Sequence, residues 1–193
     1  ELVTAKGREG RPALGCVRPS YREIALYAPD VSPVEVALAD NTNAWGMPPA
    51  AARAIADAVA GPACSSYPSP YGEALGEALT GHLSVPPEAI VTGCGSDDVL
   101  DAAIRAFAAP GGRIAFPEPH FSVISVVPRV NGLEPVPVPL GAGLDANAEA
   151  LLATDAEIVY LCSPNNPTGT LVSPQAPELV PARAKGLAIV VEA

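Results

Sequence analysis

From residue 89 onward, short apolar runs typical of strands alternate with longer segments typical of helices. The predicted strands cover residues 89–92, 113–116, 135–140, 158–162 and 187–191. The predicted helices between them cover residues 99–107, 120–130, 146–153 and 175–185. Strands that alternate with helices form a mostly parallel sheet with helices on both faces. The sequence therefore predicts an α/β fold, with the proline-interrupted run 135–140 as an edge strand.

Other segments precede this region. Residues 1–33 are polar and broken by prolines, which predicts an arm with little regular structure, whereas residues 47–60 and 71–83 are predicted helices. The chain begins without a methionine and stops directly after the predicted strand 187–191. We therefore expect residues 34–193 to be the N-terminal part of a larger domain that is incomplete in this sequence.

The composition restricts the partners and the compartment. The formal net charge is −10 and no basic stretch occurs, which disfavours a nucleic-acid partner. No apolar run reaches the roughly 18 residues of a membrane span. The cysteines Cys16, Cys64, Cys94 and Cys162 form no Cys-x-x-Cys pair. We expect neither a zinc site nor a disulfide framework, and the simplest compartment is a reducing cytoplasm.

A stiff turn, Ser163-Pro164-Asn165-Asn166-Pro167-Thr168-Gly169-Thr170, follows the apolar run 158–162. Open α/β sheets bind their ligands at this carboxyl end of a strand. Two prolines restrict the backbone, so we expect Asn166 to present its amide outward, in a pose suited to a phenolate-like or carbonyl oxygen. A plain loop of common turn-forming residues is the alternative.

A glycine turn, Thr92-Gly93-Cys94-Gly95-Ser96-Asp97-Asp98, leads from a predicted strand into the helix 99–107. Backbone N–H groups at such a helix start can bind an anion. Ordinary capping of the helix by Ser96 or Asp97 is the alternative. In the helix itself, spacing predicts that Val99, Ala103, Ile104 and Phe107 share the buried face.

Aromatic and polar residues occur near three further turns. Phe121 follows the strand 113–116 and could lie flat against a planar ring, although core packing is the usual role of a single Phe. His120 could be an acid–base group or, more often for a lone histidine, a surface residue. The Tyr67 hydroxyl could reach a phosphate or merely face solvent. Residues 40–46 could contact a polar substrate, or they could form a turn and a hydrophobic lid.

Three predicted strand ends thus carry a phosphate-binding turn, a flat aromatic ring and a fixed amide. A planar, phosphorylated aromatic cofactor with a ring oxygen fits this set, and pyridoxal phosphate is such a molecule. We expect the loops 93–98, 117–121 and 163–169 to converge at one edge of the sheet.

These motifs, in this order, resemble the fold-type-I pyridoxal-phosphate aminotransferases of class I and II. Within them the chain is most similar to the histidinol-phosphate aminotransferases, whose N-terminus the segment 17–29 also resembles. The resemblance implies a pyridoxal 5′-phosphate enzyme that transfers an amino group from a small-molecule donor to a 2-oxo acid. It also implies a cytoplasmic homodimer of amino-acid biosynthesis.

The resemblance also implies roles for individual residues. Gly95, Ser96 and Asp97 match the turn that holds the cofactor phosphate, and Phe121 matches the ring stacked on the pyridine. Asn166 matches the amide bonded to the cofactor oxygen O3′. The remaining matches are Tyr67 at the phosphate site of the partner subunit and Asn43 and Gly46 near the substrate.

The sequence departs from the family in two important respects. Val191 stands where the family carries the Asp that pairs with the pyridine nitrogen, and Glu192 should face the other side of that strand. Neither Lys6 nor Lys185 matches the Schiff-base lysine, so no catalytic residue is assigned. The alternatives to an aminotransferase are therefore a non-catalytic cofactor-binding fragment or pseudoenzyme, and a decarboxylase of the threonine-phosphate type.

Overall fold

The computed structural model of the chain describes residues 17–22, 24, 32–36 and 43–192. The chain divides into two compact units, one formed by residues 1–26 and 93–193 and the other by residues 27–92. Within the described ranges, no helix combines the length and the apolar character needed to cross a bilayer.

A four-stranded parallel sheet forms the centre of the first unit. Its strands are β1 (Arg113–Glu118), β2 (Glu134–Pro139), β3 (Ile158–Ser163) and β4 (Leu187–Glu192). They lie in the order β2-β1-β3-β4, and each neighbouring pair is parallel. The predicted parallel sheet is confirmed, and β2 lies at an edge as its prolines indicated.

Helices cover both faces of this sheet. The helices of the unit are α1 (Pro19–Arg22), α4 (Gly95–Phe107), α5 (Val123–Val130), α6 (Ala148–Leu152) and α7 (Ala176–Arg183). On one face, residues of α4 and α5 pack on Phe116 and Tyr160. On the other face, residues of α6 and α7 pack on Val159 and Leu161. Successive strand residues point to opposite faces, so β1, β3 and β4 contribute to both clusters, whereas β2 contributes only to the cluster with α6 and α7.

The structure corrects two predictions near residue 90. The predicted strand 89–92 is absent: Pro87–Ala89 forms a short 3₁₀ turn, Ile90 is extended, and residues 90–92 join no sheet in the described part of the chain. Helix α4 begins at Gly95, four residues earlier than predicted, and it buries Leu100 and Ile104. Val99 and Phe107 are exposed instead, so the predicted buried face is correct only for Ile104 and partly buried Ala103.

The second unit contains the two helices predicted before residue 89. Helix α2 (Pro49–Ala60) has prolines at its start and ends at Gly61, and helix α3 (Glu73–Leu83) follows a short 3₁₀ turn. Neither helix has a buried residue. Exposed apolar side chains of this unit include Trp45, Ile55, Val59, Tyr67 and Leu75.

Candidate active site

The loops that follow β1 and β3 meet at the carboxyl edge of the sheet. Asn165 joins them: its side chain is buried, and its Nδ2 donates to the carbonyl of Pro119 at 3.1 Å and to Thr168 Oγ1 at 2.9 Å. Its backbone N–H donates to Thr170 O at 2.8 Å, and its carbonyl accepts from Gly169 at 2.7 Å. The loop after β3 is therefore closed on itself and tied to its neighbour.

Asn166 lies directly beside this anchor but has the opposite environment. Its side chain is exposed, and it makes no hydrogen bond to any other residue that the structure describes. A rigid loop thus presents an unpaired carboxamide at the edge of the sheet, as the two flanking prolines predicted. The sequence analysis did not identify Asn165 as the anchor, because its partner Pro119 lies 46 residues away in the chain.

The start of α4 exposes backbone donors. Residues 95–97 are all exposed, and the first N–H groups of a helix have no partner within the helix. Cys94 occupies the N-cap position, but its side chain makes no capping hydrogen bond. The Cys94 N–H instead donates to Asp98 Oδ2 at 2.9 Å. Neither Ser96 nor Asp97 caps the helix, so that alternative is wrong, and these N–H groups remain available to an anion.

A side chain at position 93 would crowd the residues that begin this helix. A Cβ atom at Gly93 would lie only 2.8 Å from Asp98 Oδ2 and 2.9 Å from a methyl of Val99. A larger residue would therefore displace Asp98 from its bond to Cys94. Gly95, the first residue of α4, has a φ of +80°, which side chains disfavour.

The aromatic loop places its two rings differently. Phe121 is half-buried, so part of its ring remains accessible at the loop. The side chain of His120 is only 6% exposed, its ring meets Phe116 edge-on at 4.2 Å, and its Nε2 lies 3.1 Å from Glu118 Oε2. The surface interpretation of His120 is therefore wrong, since its contacts are those of a residue that shapes the loop.

Beneath the loop after β3 lies a buried polar pair. The Cys162 thiol donates to Pro164 O at 3.3 Å, and the Tyr160 hydroxyl lies against that thiol. Burial, then the neighbouring Cys162 and then the charge of Asp97 raise the pKa of Tyr160. Helix α4 ends at Phe107, shortly before β1 begins at the amino edge of the sheet, so its first turn lies toward the carboxyl edge. The structure thus brings residues 95–97 and 166 to the same edge as Phe121.

Three predicted site residues belong to the second unit. Asn43 closes a turn in which its Oδ1 accepts from the Trp45 N–H at 3.0 Å and its Nδ2 donates to Gly46 O at 2.9 Å. Gly46 has a φ of +74° in this turn. The side chain of Tyr67 is fully exposed.

The structure also locates Val191 and Lys185, the two residues discussed above as departures from the family. Val191 is half-buried, pairs with Cys162 in the sheet and packs on the same face as Tyr160. Lys185 pairs with Asp155, and both precede their strands at the amino edge, opposite the site. Lys6, Ala193 and the side chain of Glu192 lie outside the described residues.

A cavity of about 340 Å³ with a mixed polar and apolar lining lies elsewhere in the first unit. The turn around Asp145 and the start of α7 around Gln175 line it. It contains none of the predicted site residues.

Comparison with known proteins gives consistent matches. The sequence profile of the aminotransferase class I and II family matches residues 34–192. The chain is 30% identical to histidinol-phosphate aminotransferase of Caldanaerobacter subterraneus subsp. tengcongensis, covering 92% of this chain and 52% of that enzyme. It is 34% identical to aromatic amino acid aminotransferase of Corynebacterium diphtheriae, covering 83% of this chain and 47% of that enzyme.

A solved structure shows the same fold. Histidinol-phosphate aminotransferase from Sinorhizobium meliloti, crystallised with pyridoxal-5′-phosphate, superposes with a TM-score of 0.72 at 24% identity. The match covers 78% of this chain and 42% of that one. The chain thus spans about half the length of the relatives that it matches.

Proposed function

Because this chain belongs to the class I and II aminotransferase family, whose cofactor is pyridoxal 5′-phosphate, we propose that the protein transfers an amino group to a 2-oxo acid. The donor is an amino acid or an amine like histidinol phosphate, in keeping with the names of its relatives. The single observation that carries this proposal is the unpaired, exposed amide of Asn166, held by buried Asn165 at the edge where α4 begins.

The start of α4 fits a phosphate group. The N–H groups of Gly95, Ser96 and Asp97 supply donors, and the helix dipole favours an anion there. No side chain from the described residues occupies these donors as an N-cap. In our proposal they hold the phosphate of the cofactor, and Gly93 is needed because a side chain would disturb the turn.

Two further residues complete the cofactor site in this proposal. The Asn166 amide donates to the ring oxygen O3′, and the half-buried ring of Phe121 stacks on the pyridine. When bound, the cofactor supplies the carbonyl group that takes up the amino group and the ring that delocalises negative charge. The protein residues orient that ring and shield one of its faces from water.

The second unit supplies the substrate side and a dimer contact in this proposal. We assign Asn43 and Gly46 to the substrate, and Tyr67 to the cofactor phosphate of a second copy of the chain. The full exposure of Tyr67 and the exposed apolar residues of α2 support a homodimer. The free thiols of Cys64, Cys94 and Cys162 fit a reducing cytoplasm, where we place a role in amino-acid biosynthesis.

The Tyr67→Phe change tests the dimer assignment. The full-length protein should sediment as a dimer, and the variant should remain a dimer but bind the cofactor several-fold more weakly, because one hydrogen bond to a phosphate is lost. Tyr71→Phe, another exposed tyrosine of the same unit, is the matched control and should bind normally. A fully active wild-type monomer would contradict the assignment.

Turnover by the full-length protein tests the activity. With cofactor bound, histidinol phosphate or an aromatic amino acid should yield its carbonyl product together with the aminated form of a 2-oxo acid. Cofactor binding without turnover of any amine would favour the non-catalytic alternative, which Val191 and the remote Lys185 support. Release of carbon dioxide would favour the decarboxylase.

A further inference from the structure

Residues near the carboxyl ends of β3 and β4 form part of a packed cluster on one face of the sheet. Tyr160, Cys162 and Val191 lie on the sheet face that α4 and α5 cover, and they belong to one packed cluster with Phe116. Cys162 and Val191 are directly paired in the sheet. We call Tyr160, Cys162 and Val191 the floor of the site.

The polar groups of the floor are neutral. The hydrogen of the Cys162 thiol goes to Pro164 O, so the thiol is a committed donor. The raised pKa of Tyr160, caused first by burial, keeps its hydroxyl protonated at neutral pH. Val191 has no polar atom in its side chain. The three floor side chains themselves therefore offer no anion to a cation placed above them, and the charge that acts on the floor from outside is that of Asp97.

Acidic residues near the floor in the fold lie at the start of α4 or at the end of β1. Asp97 is exposed in the first turn of α4, where our proposal places the cofactor phosphate. Asp98 bonds the Cys94 N–H, and Glu118 lies against His120 at the end of β1. No described side chain of β4 is charged on this face. A buried apolar surface disfavours the charged form of any base that contacts it.

The chemistry of the cofactor places one basic atom toward this floor. In pyridoxal phosphate, the phosphate arm and the ring oxygen flank the reacting carbon, and the ring nitrogen lies across the ring from that carbon. The reacting carbon must face the side from which the substrate enters. With the phosphate at α4 and the ring oxygen at Asn166, as in the proposed function, the nitrogen would point away from both and toward the protein interior.

We propose that the floor of Tyr160, Cys162 and Val191 holds the ring nitrogen of the cofactor unprotonated at neutral pH, an inference that rests on the proposed function. An unprotonated nitrogen withdraws charge from the reacting carbon less strongly than a protonated one. Val191 then limits which reactions the protein can perform. Reactions that need the cofactor ring to withdraw electrons strongly become slow.

The test uses the full-length protein loaded with cofactor that carries ¹⁵N at the ring nitrogen. The ¹⁵N chemical shift, followed across neutral pH, reports protonation without any turnover. The wild type should show an unprotonated nitrogen. Val191→Asp should raise the pKa of the nitrogen by roughly 1–3 units, the usual effect of an adjacent opposite charge. Val191→Asn, of the same size but uncharged, should not.

The possible results separate a failure of this inference from a failure of the proposed function. A protonated nitrogen in the wild type at neutral pH would overturn the inference and leave the proposed function standing. Equal shifts in the Asp and Asn variants would also overturn it, because the charge at position 191 would then not matter. A wild-type protein that binds no cofactor would overturn the proposed function and the inference together.

Discussion

Replacing Asn165 by alanine should destabilise the protein by about 1–3 kcal/mol, the cost of leaving buried polar groups unpaired. Within the described part of the chain, the buried amide makes the only hydrogen bond to Pro119 O, and it also bonds Thr168. Without it, the loops after β1 and β3 lose their connection. The free energy of unfolding should fall, and the amides of residues 163–170 should exchange with solvent faster.

Asn166→Ala is the matched control for this prediction. Asn166 has the same side chain as Asn165 and follows it directly, but the Asn166 side chain is exposed and makes no hydrogen bond to any other described residue. Its loss should change the free energy of unfolding by no more than about 0.5 kcal/mol, as for most surface substitutions. Urea unfolding of the cofactor-free full-length protein, with hydrogen exchange of the loop, measures both. Equal destabilisation by the two changes would show that Asn165 is not the anchor.

The chain of 193 residues by itself should show no transamination above the rate of free pyridoxal phosphate. Amino transfer on this cofactor needs a protein amine at the reacting carbon. Lys185 pairs with Asp155 at the amino edge of the sheet, whereas the candidate site lies at the carboxyl edge. No other described residue is a lysine.

Lys185→Ala separates this explanation from a hidden role of that lysine. In the full-length protein the change should leave turnover unaltered, because the residue is an exposed member of a surface ion pair. A measurable rate for the chain alone, abolished by Lys185→Ala, would contradict the placement of the site.

The sheet was predictable because its evidence is local. The runs 113–116, 158–162 and 187–191 are mostly apolar, and each became part of a strand of the parallel sheet. The run 89–92 is also mostly apolar but has no neighbouring strand in the described sheet. A strand needs a second strand to hydrogen-bond with, and a short stretch of sequence does not show whether one lies beside it. Helix α4 starts earlier than predicted, at Gly95, and the face that it buries, with Leu100 and Ile104, is set by its packing against the sheet.

The candidate site was predictable only in outline. Prolines and glycines marked the three loops, and topology placed them at one edge. Which of two consecutive asparagines is buried depends on a bond to Pro119, far away in the chain. The burial of His120 depends likewise on its contact with Phe116. Such tertiary contacts have no local signature.

The most direct test of the central claim is the affinity of the full-length protein for pyridoxal phosphate, measured by absorbance titration for the wild type and for Asn166→Ala. We expect the wild type to turn yellow and bind the cofactor. The variant should bind it about 5- to 150-fold more weakly, which corresponds to a lost hydrogen bond of about 1–3 kcal/mol. Unchanged affinity and an unchanged spectrum in the variant would contradict the role of Asn166 and the site built around it.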